Sequence, residues 1–560
     1  MKTNRVVLIG CGPRGISILE QLAIKIRGNN SSTRWELVII DAFQPGAGRI
    51  WRSTQSTTLL MNTVTSQVTM YSGGLDDGPW RPGAGPTFHQ WLAMHKRLDW
   101  TSLQPNDYAP RYAYGHYLQS CFGVFVAALS QIAQIEIICD EVTNISWEGG
   151  NYSLALATQG ERSRIDAIIL ATGHGLPRIH NRGHTEAGLS RYILGDSAAD
   201  LPLGTVNPHE HIGIIGLGLG FYDIVTELTA GRGGHYSGCD HPVYTASGSE
   251  PVIIAGSRSG VPLLGRGLNQ KLPGRPRETT FISETMLDGM RLAAKAASGY
   301  ISLDFNRDIA PRLQAEMDEV YYGAVVRQRY GDVFARKFNS EYRKRRVIGL
   351  PIPDDLVMKY NLRDVPPFDM YQLARPFIGM RFDSQSQFDD ALLQLLENDT
   401  IEALEGNVDN PSKAACDILR DVRDTIRLAV EFDGLTPESR KRDFLNRFAP
   451  ACSLLSAAPP LFRIQQLRAL IEAGIVVIAG PEATFVENQN DKVFTISSPF
   501  VRNQSWTVKK VFDSRIPTAN VIAQESALFR QGISAGLMRP YKRNADYHIL
   551  GSLCTSNVSR

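Results

Sequence analysis

Three glycines near the start of the chain make its first chemical proposition. In Gly10-Cys11-Gly12-Pro13-Arg14-Gly15 the first glycine permits a tight turn, the second lets backbone N–H groups approach a pyrophosphate, and the third lets a helix pack close to a strand. Phosphates then sit at the helix N-terminus, where unpaired N–H groups and the helix dipole favour negative charge. With 49 glycines in 560 residues the bare pattern arises by chance about 0.4 times, so its surroundings decide its meaning. The β-branched run Arg5 to Ile9 precedes it, a helical pattern at Ile16, Leu19, Leu22, Ala23 and Ile26 follows, and a second apolar run covers Leu37 to Ile40. Asp41 ends that run and can accept hydrogen bonds from adenosine ribose hydroxyls. It stands 31 residues beyond Gly10 where about 20 is usual, and the polar stretch Gly28-Asn29-Asn30-Ser31-Ser32 takes up the surplus as a loop. The expectation is an FAD site built from Gly10, Gly12, Pro13, Arg14, Gly15 and Asp41.

A second fingerprint, Gly216-Leu217-Gly218-Leu219-Gly220-Phe221, keeps the first two glycines but carries Phe221 in the third place, which holds the helix off the strand unless Gly220 compensates. The strand that follows ends in Gly256-Ser257-Arg258-Ser259-Gly260, with a cation and hydroxyls where an NADH site would place a carboxylate. An Arg there accommodates a 2′-phosphate, so NADPH is expected, held through Gly216, Gly218, Ser257 and Arg258.

Further segments carry a resemblance. Met61-Asn62-Thr63-Val64-Thr65-Ser66-Gln67-Val68-Thr69-Met70-Tyr71-Ser72 resembles the flavin-side loop of flavin-containing monooxygenases, and Ala171-Thr172-Gly173 resembles the strand end that links FAD and NADPH domains in class B flavoprotein monooxygenases. Gly12 to Gly15, Pro45-Gly46-Ala47-Gly48, Leu60 to Thr63, Pro110-Arg111 with Tyr114-Gly115, Gly231 to Gly234 and Gly256 to Gly260 together resemble the FAD/NAD(P)-binding family named for the FAD-dependent urate hydroxylase HpyO, from residue 5 to about 540. The resemblance implies that Asn62 lies beside the reactive face of the flavin and that Thr172 and Gly173 belong to the cofactor site. It implies NADPH-driven oxygenation of a small molecule, in which O2 adds to reduced FAD and a dry pocket protects the resulting hydroperoxide. An amine or other heteroatom is the first substrate class expected and an aromatic such as urate the second. A flavin reductase or dehydrogenase without oxygenation, or a cofactor-binding protein without turnover, are the alternatives. The Phe-x-Gly-x-x-x-His signature of flavin-containing and Baeyer-Villiger monooxygenases has no match between residues 170 and 200, where His180 and His184 stand at other spacings. Relatives are expected to continue through a further flavin-contacting segment where this chain stops after Gly551 to Cys554, so that part of the FAD site is missing if the chain is a fragment.

Other chemistries find little support. The seven cysteines are scattered without a Cys-x-x-Cys pair, which argues for a reducing compartment and against a zinc or dithiol centre. His89, His95, His209 and His211 are read as surface or capping groups, and His116 as packing or lining the flavin pocket. No Gly-x-Ser-x-Gly follows a strand. Lys+Arg 59 against Asp+Glu 57 leaves no basic excess for nucleic acid or anionic membrane. No apolar run reaches the roughly 18 residues of a membrane span, and the N-terminus enters a strand directly, so a cytoplasmic protein is expected, its oligomeric state left open.

The elements that must position these residues form a mixed α/β fold: two Rossmann-like dinucleotide-binding domains, for FAD and NAD(P), with a large mostly helical insertion. The expected divisions are 1–205 for the FAD-binding domain, 206–275 for the first part of the NAD(P)-binding domain, 276–460 for the helical insertion as a substrate lid, and 461–560 for returning strands and a C-terminal segment. Residues 43 to 120 read as an irregular excursion, Ile165 to Leu170 as one buried strand, and Arg343-Lys344-Arg345-Arg346 as a solvated helix face. A helix through Ile464 and Ile471 should stop at Gly474 and return as a strand from Ile475 to Ala479.

Overall fold

Continuous apolar runs, buried on both faces, build the first sheet. A computed structural model describes residues 3–26, 34–95, 100, 102–173, 191–195, 197–271, 277–516, 525–543 and 547–555; the loop Gly28 to Ser32, His180 and His184 lie outside the described residues. Strand β1 (Thr3–Ile9), helix α1 (Pro13–Ile26) and strand β2 (Arg34–Asp41) are followed by helices α2 (Phe88–His95) and α3 (Arg111–Leu129). Strand β3 (Ala133–Cys139), the antiparallel meander β4 (Val142–Glu148), β5 (Asn151–Leu156) and β6 (Glu161–Ile165), and strand β7 (Ala167–Leu170) come next. The parallel sheet has the order β3-β2-β1-β7, with Ile9 opposite both Ile40 and Leu170. Leu8, Leu37 and Ile39 point to one side, into the core with Ile16, Leu19, Leu118 and Phe125 of α1 and α3. Val7, Ile9, Val38 and Ile40 point to the other, against Ile145, Leu154 and Ile165 of the meander and Leu528 and Phe529 of the helix Ala527–Ser534.

The second sheet repeats this topology. Strand β8 (Tyr192–Leu194) is followed by β9 (His211–Ile215) and α4 (Leu219–Leu228). The strand Val476–Ile478 pairs with Val252–Gly256, which pairs with β9, which pairs with Lys510–Asp513, all parallel, and β8 adds a fifth strand beyond. Another three-stranded antiparallel meander, Thr484 to Val508, packs on one face through Phe494 and Ile496. Gly213 of β9 keeps that packing close, since a Cβ there would stand 3.0 Å from both Ile496 and Val511. The expected fold class is therefore observed: two Rossmann-like α/β sheets, and a helical stretch that includes Glu284–Ser298, Ala310–Tyr330, Asp332–Arg345, Gln385–Leu404 and Leu461–Glu472. By internal contacts the chain divides into one unit of residues 1–190, 194–202 and 516–560 and another of 191–193 and 203–515.

Three sequence expectations are corrected. The excursion 43–120 contains α2 and the start of α3; α3 shows no apolar stripe because Tyr112, Ala113, Tyr114, Tyr117, Leu118 and Cys121 bury it on nearly every side. The run Ile165 to Leu170 is two strands in two sheets. Between them Asp166 accepts from the Arg5 N–H at 2.7 Å and donates its own N–H to the Arg5 carbonyl at 2.9 Å, turning the chain from the meander into the parallel sheet. The basic run is not a solvated face throughout: the Arg346 side chain is 3% exposed beside Asp318 at 3.1 Å, and Arg343 pairs with fully buried Glu319 at 2.8 Å. Carboxylates buried on the helix Ala310–Tyr330 require these counter-charges. The helix Leu461–Glu472 does end before Gly474, whose φ is +70°, and the chain returns as Val476–Ile478.

Glu20, buried in the middle of α1, holds the excursion in place. Its Oε1 accepts from the Ser72 N–H at 2.8 Å, the Ser72 hydroxyl at 3.1 Å and the Gly83 N–H at 3.1 Å. Glu20→Ala strips three donors of one shared acceptor and should cost about 2–4 kcal/mol in urea unfolding, whereas Glu20→Gln, which keeps an acceptor, should cost less than half as much.

Candidate functional site

In the first unit the glycine turn is defined by backbone meeting backbone. Gly10 has φ +89°, and a Cβ there would lie 2.5 Å from the Ala171 carbonyl oxygen and 2.8 Å from the Thr172 Cα. The strand end Ala171-Thr172-Gly173 is thus packed on the turn, fixed further by the Ala171 N–H donating to the Ile9 carbonyl at 2.7 Å. Thr172 and Gly173 are themselves exposed, and Gly173 takes a φ of +73°. Gly15 performs the third role read from its position, since its Cβ would stand 2.6 Å from the Gly10 carbonyl oxygen. Gly12 differs: the nearest atom to its hypothetical Cβ is the Gly48 Cα at 3.9 Å, so the protein leaves open the space a side chain would fill. Pro13 begins α1 and Arg14 is exposed beside it. An open, donor-lined turn at a helix N-terminus fits the pyrophosphate of FAD.

Asp41 is 7% exposed and also braces the turn. One carboxylate oxygen accepts from the Cys11 N–H at 2.7 Å and the other from the Phe43 N–H at 2.9 Å. Each oxygen retains a lone pair with which a ribose hydroxyl can bond. The loop Pro45 to Gly48 closes over the turn, the Gly46 N–H donating to the Cys11 carbonyl at 2.7 Å. The Cys11 thiol is pushed up to about 12 by burial and by the Asp41 charge, which favours the protonated thiol.

Two stretches of the excursion come together. Leu60 and Pro110 form an antiparallel bridge, the Met61 N–H donates to Ala109 at 2.9 Å, and the Arg111 N–H donates to Leu59 at 2.8 Å. Gly115 of α3 admits the backbone of Trp51, whose oxygen would be 2.1 Å from a Cβ, while the Trp51 ring meets Tyr114 edge-on at 5.0 Å. Asn62 follows this bridge, half-buried, its amide without a hydrogen-bond partner among the described residues. His116 packs against Trp100 and Tyr112 at ring separations of 6.1 and 6.4 Å. His95 stacks on Trp91 at 4.0 Å. Among the described residues no group of three side chains could hold a metal, and no helix is long and apolar enough to cross a membrane.

The second unit shows the same arrangement with different side chains. The Gly216 N–H donates to the Gly256 carbonyl at 2.8 Å, as the Gly10 N–H does to Ile40 at 2.7 Å. A Cβ on Gly216, where φ is +95°, would stand 2.8 Å from Arg515 and 3.0 Å from the Ser514 hydroxyl, so Ser514-Arg515 occupies the place that Ala171-Thr172 has in the first unit. Gly220 supplies the close approach that Phe221 cannot, its Cβ falling 2.7 Å from the Ser514 carbonyl oxygen, while Phe221 is fully buried. Gly218 caps α4 with no atom within 4 Å of a Cβ, open as Gly12 is. By the same correspondence Ser257 stands where Asp41 does. Its hydroxyl lies 3.1 Å from the Ser259 hydroxyl and accepts from the Gly260 N–H at 3.2 Å. Arg258 next to it is exposed, with no side-chain partner among the described residues, and lines a cleft with Ser259, Arg375, Phe377, Glu482 and Phe500. The fit to a second dinucleotide rests on this donor set and on the open glycine.

Sequence reasoning missed Ser514, Arg515, Arg375 and Glu482, none of which has a local motif; the repeated topology was the signal that could have found the first two. Gly10→Ala should prevent folding by clashing with the Ala171 carbonyl. Gly12→Val should fold, by circular dichroism, yet retain no FAD; a folded Gly12→Val protein with full flavin absorbance would place the phosphate site elsewhere.

Residues 7–175 match the family described as FAD-NAD(P)-binding. Over 96% of this chain and 82% of the relative, the sequence is 33% identical to nitrosuccinic acid synthase npaA of Aspergillus oryzae. It is 31% identical to the L-aspartate N-monooxygenase (nitrosuccinate-forming) of Streptomyces davaonensis over 96% of this chain and 85% of that one. The corresponding figures for the enzyme of the same name from Streptomyces cremeus are 30%, 96% and 83%. The chain is an enzyme, an FAD- and NAD(P)-dependent monooxygenase that acts with O2 on a small molecule. It belongs to the flavin monooxygenase family that includes nitrosuccinic acid synthase and the nitrosuccinate-forming L-aspartate N-monooxygenases.

Proposed function

We propose that this enzyme oxygenates the amino nitrogen of L-aspartate, using NADPH as reductant. The observation that carries the substrate is identity of 30% or more to the L-aspartate N-monooxygenases along 96% of this chain. Each turnover would consume one NADPH and one O2, pass one oxygen atom to nitrogen and release the other as water; repeated turnover on the same nitrogen carries it toward the nitro level. FAD, when bound and reduced, supplies the activation of O2.

The chain's own residues bind and orient. Gly12 with the α1 N-terminus takes the FAD pyrophosphate, with Gly10, Pro13, Arg14 and Gly15 shaping that end of the helix, and Asp41 takes the adenosine ribose. Thr172 and Gly173 border the same turn. Gly216 and Gly218 take the NADPH pyrophosphate, and Ser257 and Arg258 its 2′-phosphate. Asn62, whose amide has no hydrogen-bond partner among the described residues, is assigned to the flavin side, as the monooxygenase resemblance implies. The helical stretch 276–460 is assigned as the source of substrate-facing groups.

The test supplies FAD-loaded enzyme with NADPH and, separately, L-aspartate, L-glutamate, L-ornithine and urate, and follows O2 uptake, H2O2 and N-oxygenated product by mass spectrometry. L-aspartate should stimulate NADPH oxidation at least about tenfold with product in excess of peroxide. Urate turnover without aspartate turnover would support the urate hydroxylase resemblance instead, and quantitative H2O2 with every substrate would leave a reductase. Arg258→Ala should lower the ratio of kcat/KM for NADPH to that for NADH by about tenfold or more, the loss of a charge-assisted contact of about 1.5–3 kcal/mol; an unchanged ratio removes the assignment of this strand end.

A further inference from the structure

We infer that Arg375, carried by the helical stretch, is a second specificity residue for the 2′-phosphate of NADPH, and that Glu482 is the counter-ion that holds it until the phosphate arrives. The inference rests on the assignment of Arg258 to that phosphate and adds two residues from distant parts of the sequence.

Arg258 and Arg375 line one cleft. Arg375 ends the short helix Met370–Ala374, and its guanidinium donates to Glu482 Oε1 at 2.5 Å. Glu482 in turn donates its backbone N–H to the Arg258 carbonyl at 3.1 Å, so one residue is tied by its backbone to the first arginine and by its side chain to the second. The wall that carries both is close-packed: Gly260, with φ +68°, would place a Cβ 2.5 Å from the Pro481 nitrogen, and the Ala483 N–H donates to the Ser257 carbonyl at 3.2 Å. The charged ends are therefore presented from a fixed backbone while the side chains remain free to rearrange.

Charge decides the assignment. Two guanidinium groups and one carboxylate leave the cleft one positive charge in excess, whereas a phosphate monoester carries about −1.5 to −2 at neutral pH. Arg258 alone brings one positive charge to it; Arg375, released from Glu482, brings the second. The pair that Arg375 must leave is solvated, with side chains 49% and 39% exposed, and such pairs are worth about 1 kcal/mol or less. Releasing it costs little beside two charge-assisted bonds to phosphate. A cofactor with a free 2′-hydroxyl offers Arg375 nothing better than Glu482, and the pair stays closed. Glu482 thus opposes the phosphate by repulsion and by occupying Arg375, and sets how strongly the cleft prefers it.

The test titrates FAD-loaded enzyme calorimetrically with adenosine 2′,5′-bisphosphate and with 5′-AMP, which lacks the 2′-phosphate. Arg375→Ala should weaken the bisphosphate about tenfold and leave AMP within twofold, Arg375→Lys should restore part of the loss, and Glu482→Gln should tighten the bisphosphate several-fold. If Arg258→Ala weakens the bisphosphate and Arg375→Ala does not, this inference falls while the NADPH assignment stands. If neither variant matters, both fall. Equal weakening of the two ligands by Arg375→Ala, or no gain from Glu482→Gln, marks Arg375 as structural and overturns the inference.

Discussion

The first dinucleotide site depends on a contact with no side chain in it. At Gly10 the turn after the first strand lies so close to the chain leaving the neighbouring strand that a single added carbon would sit 2.5 Å from the Ala171 carbonyl oxygen, and at Gly216 such a carbon would sit 2.8 Å from the Arg515 side chain and 3.0 Å from the Ser514 hydroxyl. Close-packed interiors cannot absorb such an overlap. Because the turn is pressed against that strand end, its N–H groups are aimed outward, Gly12 and Gly218 face open space, and a ligand's phosphates can approach. Asp41 secures the first turn from the opposite strand by accepting from the Cys11 N–H, whereas the Ser257 hydroxyl accepts from the Gly260 N–H of its own loop. The difference suits the ligands: where the first unit braces its turn with an anion, the second leaves a cation exposed.

Sheet order explains where the rest of the chain goes. In both units the connection after the second strand of the β-α-β unit is the one that expands. Residues 42–132 form the first excursion and residues 257–475 the second. This is the connection that does not pass the glycine turn, so its length is free of the constraint just described. Glu20 then pins the first excursion to α1, Gly115 packs α3 against Trp51 within it, and Arg258, Glu482 and Arg375 join the second to its own strand ends.

Both glycine motifs and the strands around them were legible in the sequence because each consists of neighbours along the chain with a fixed backbone task. Phe221 in the third glycine place read as a defect, and Gly220 repairs it one residue earlier by approaching Ser514 rather than Gly216. What could not be read has two causes. Helix α3 is buried on nearly every side and therefore has no periodicity, and Ile165 to Leu170 is apolar on both sides of a change of sheet that Asp166 marks only through Arg5. Arg346 and Arg375 look like ordinary surface cations until Asp318 and Glu482, remote in sequence, are set beside them.

The strand that closes each glycine turn also sets an order of synthesis. Leu170 completes the first turn's sheet 161 positions after Ile9, but Asp513 lies 298 positions after Ile215. On the ribosome, the strand behind Gly10 becomes available when about a third of the chain has emerged, and the one behind Gly216 only near its end. At about 5–20 residues per second the gap between residues 172 and 514 is about 20 to 70 s. For most of that time, from the emergence of Gly256 onward, strand β9 stands with one edge unpaired, and Val252–Gly256 does so until Val476–Ile478 follows, an aggregation hazard that grows with the length of the helical stretch and that early docking of the nascent chain by a chaperone would relieve.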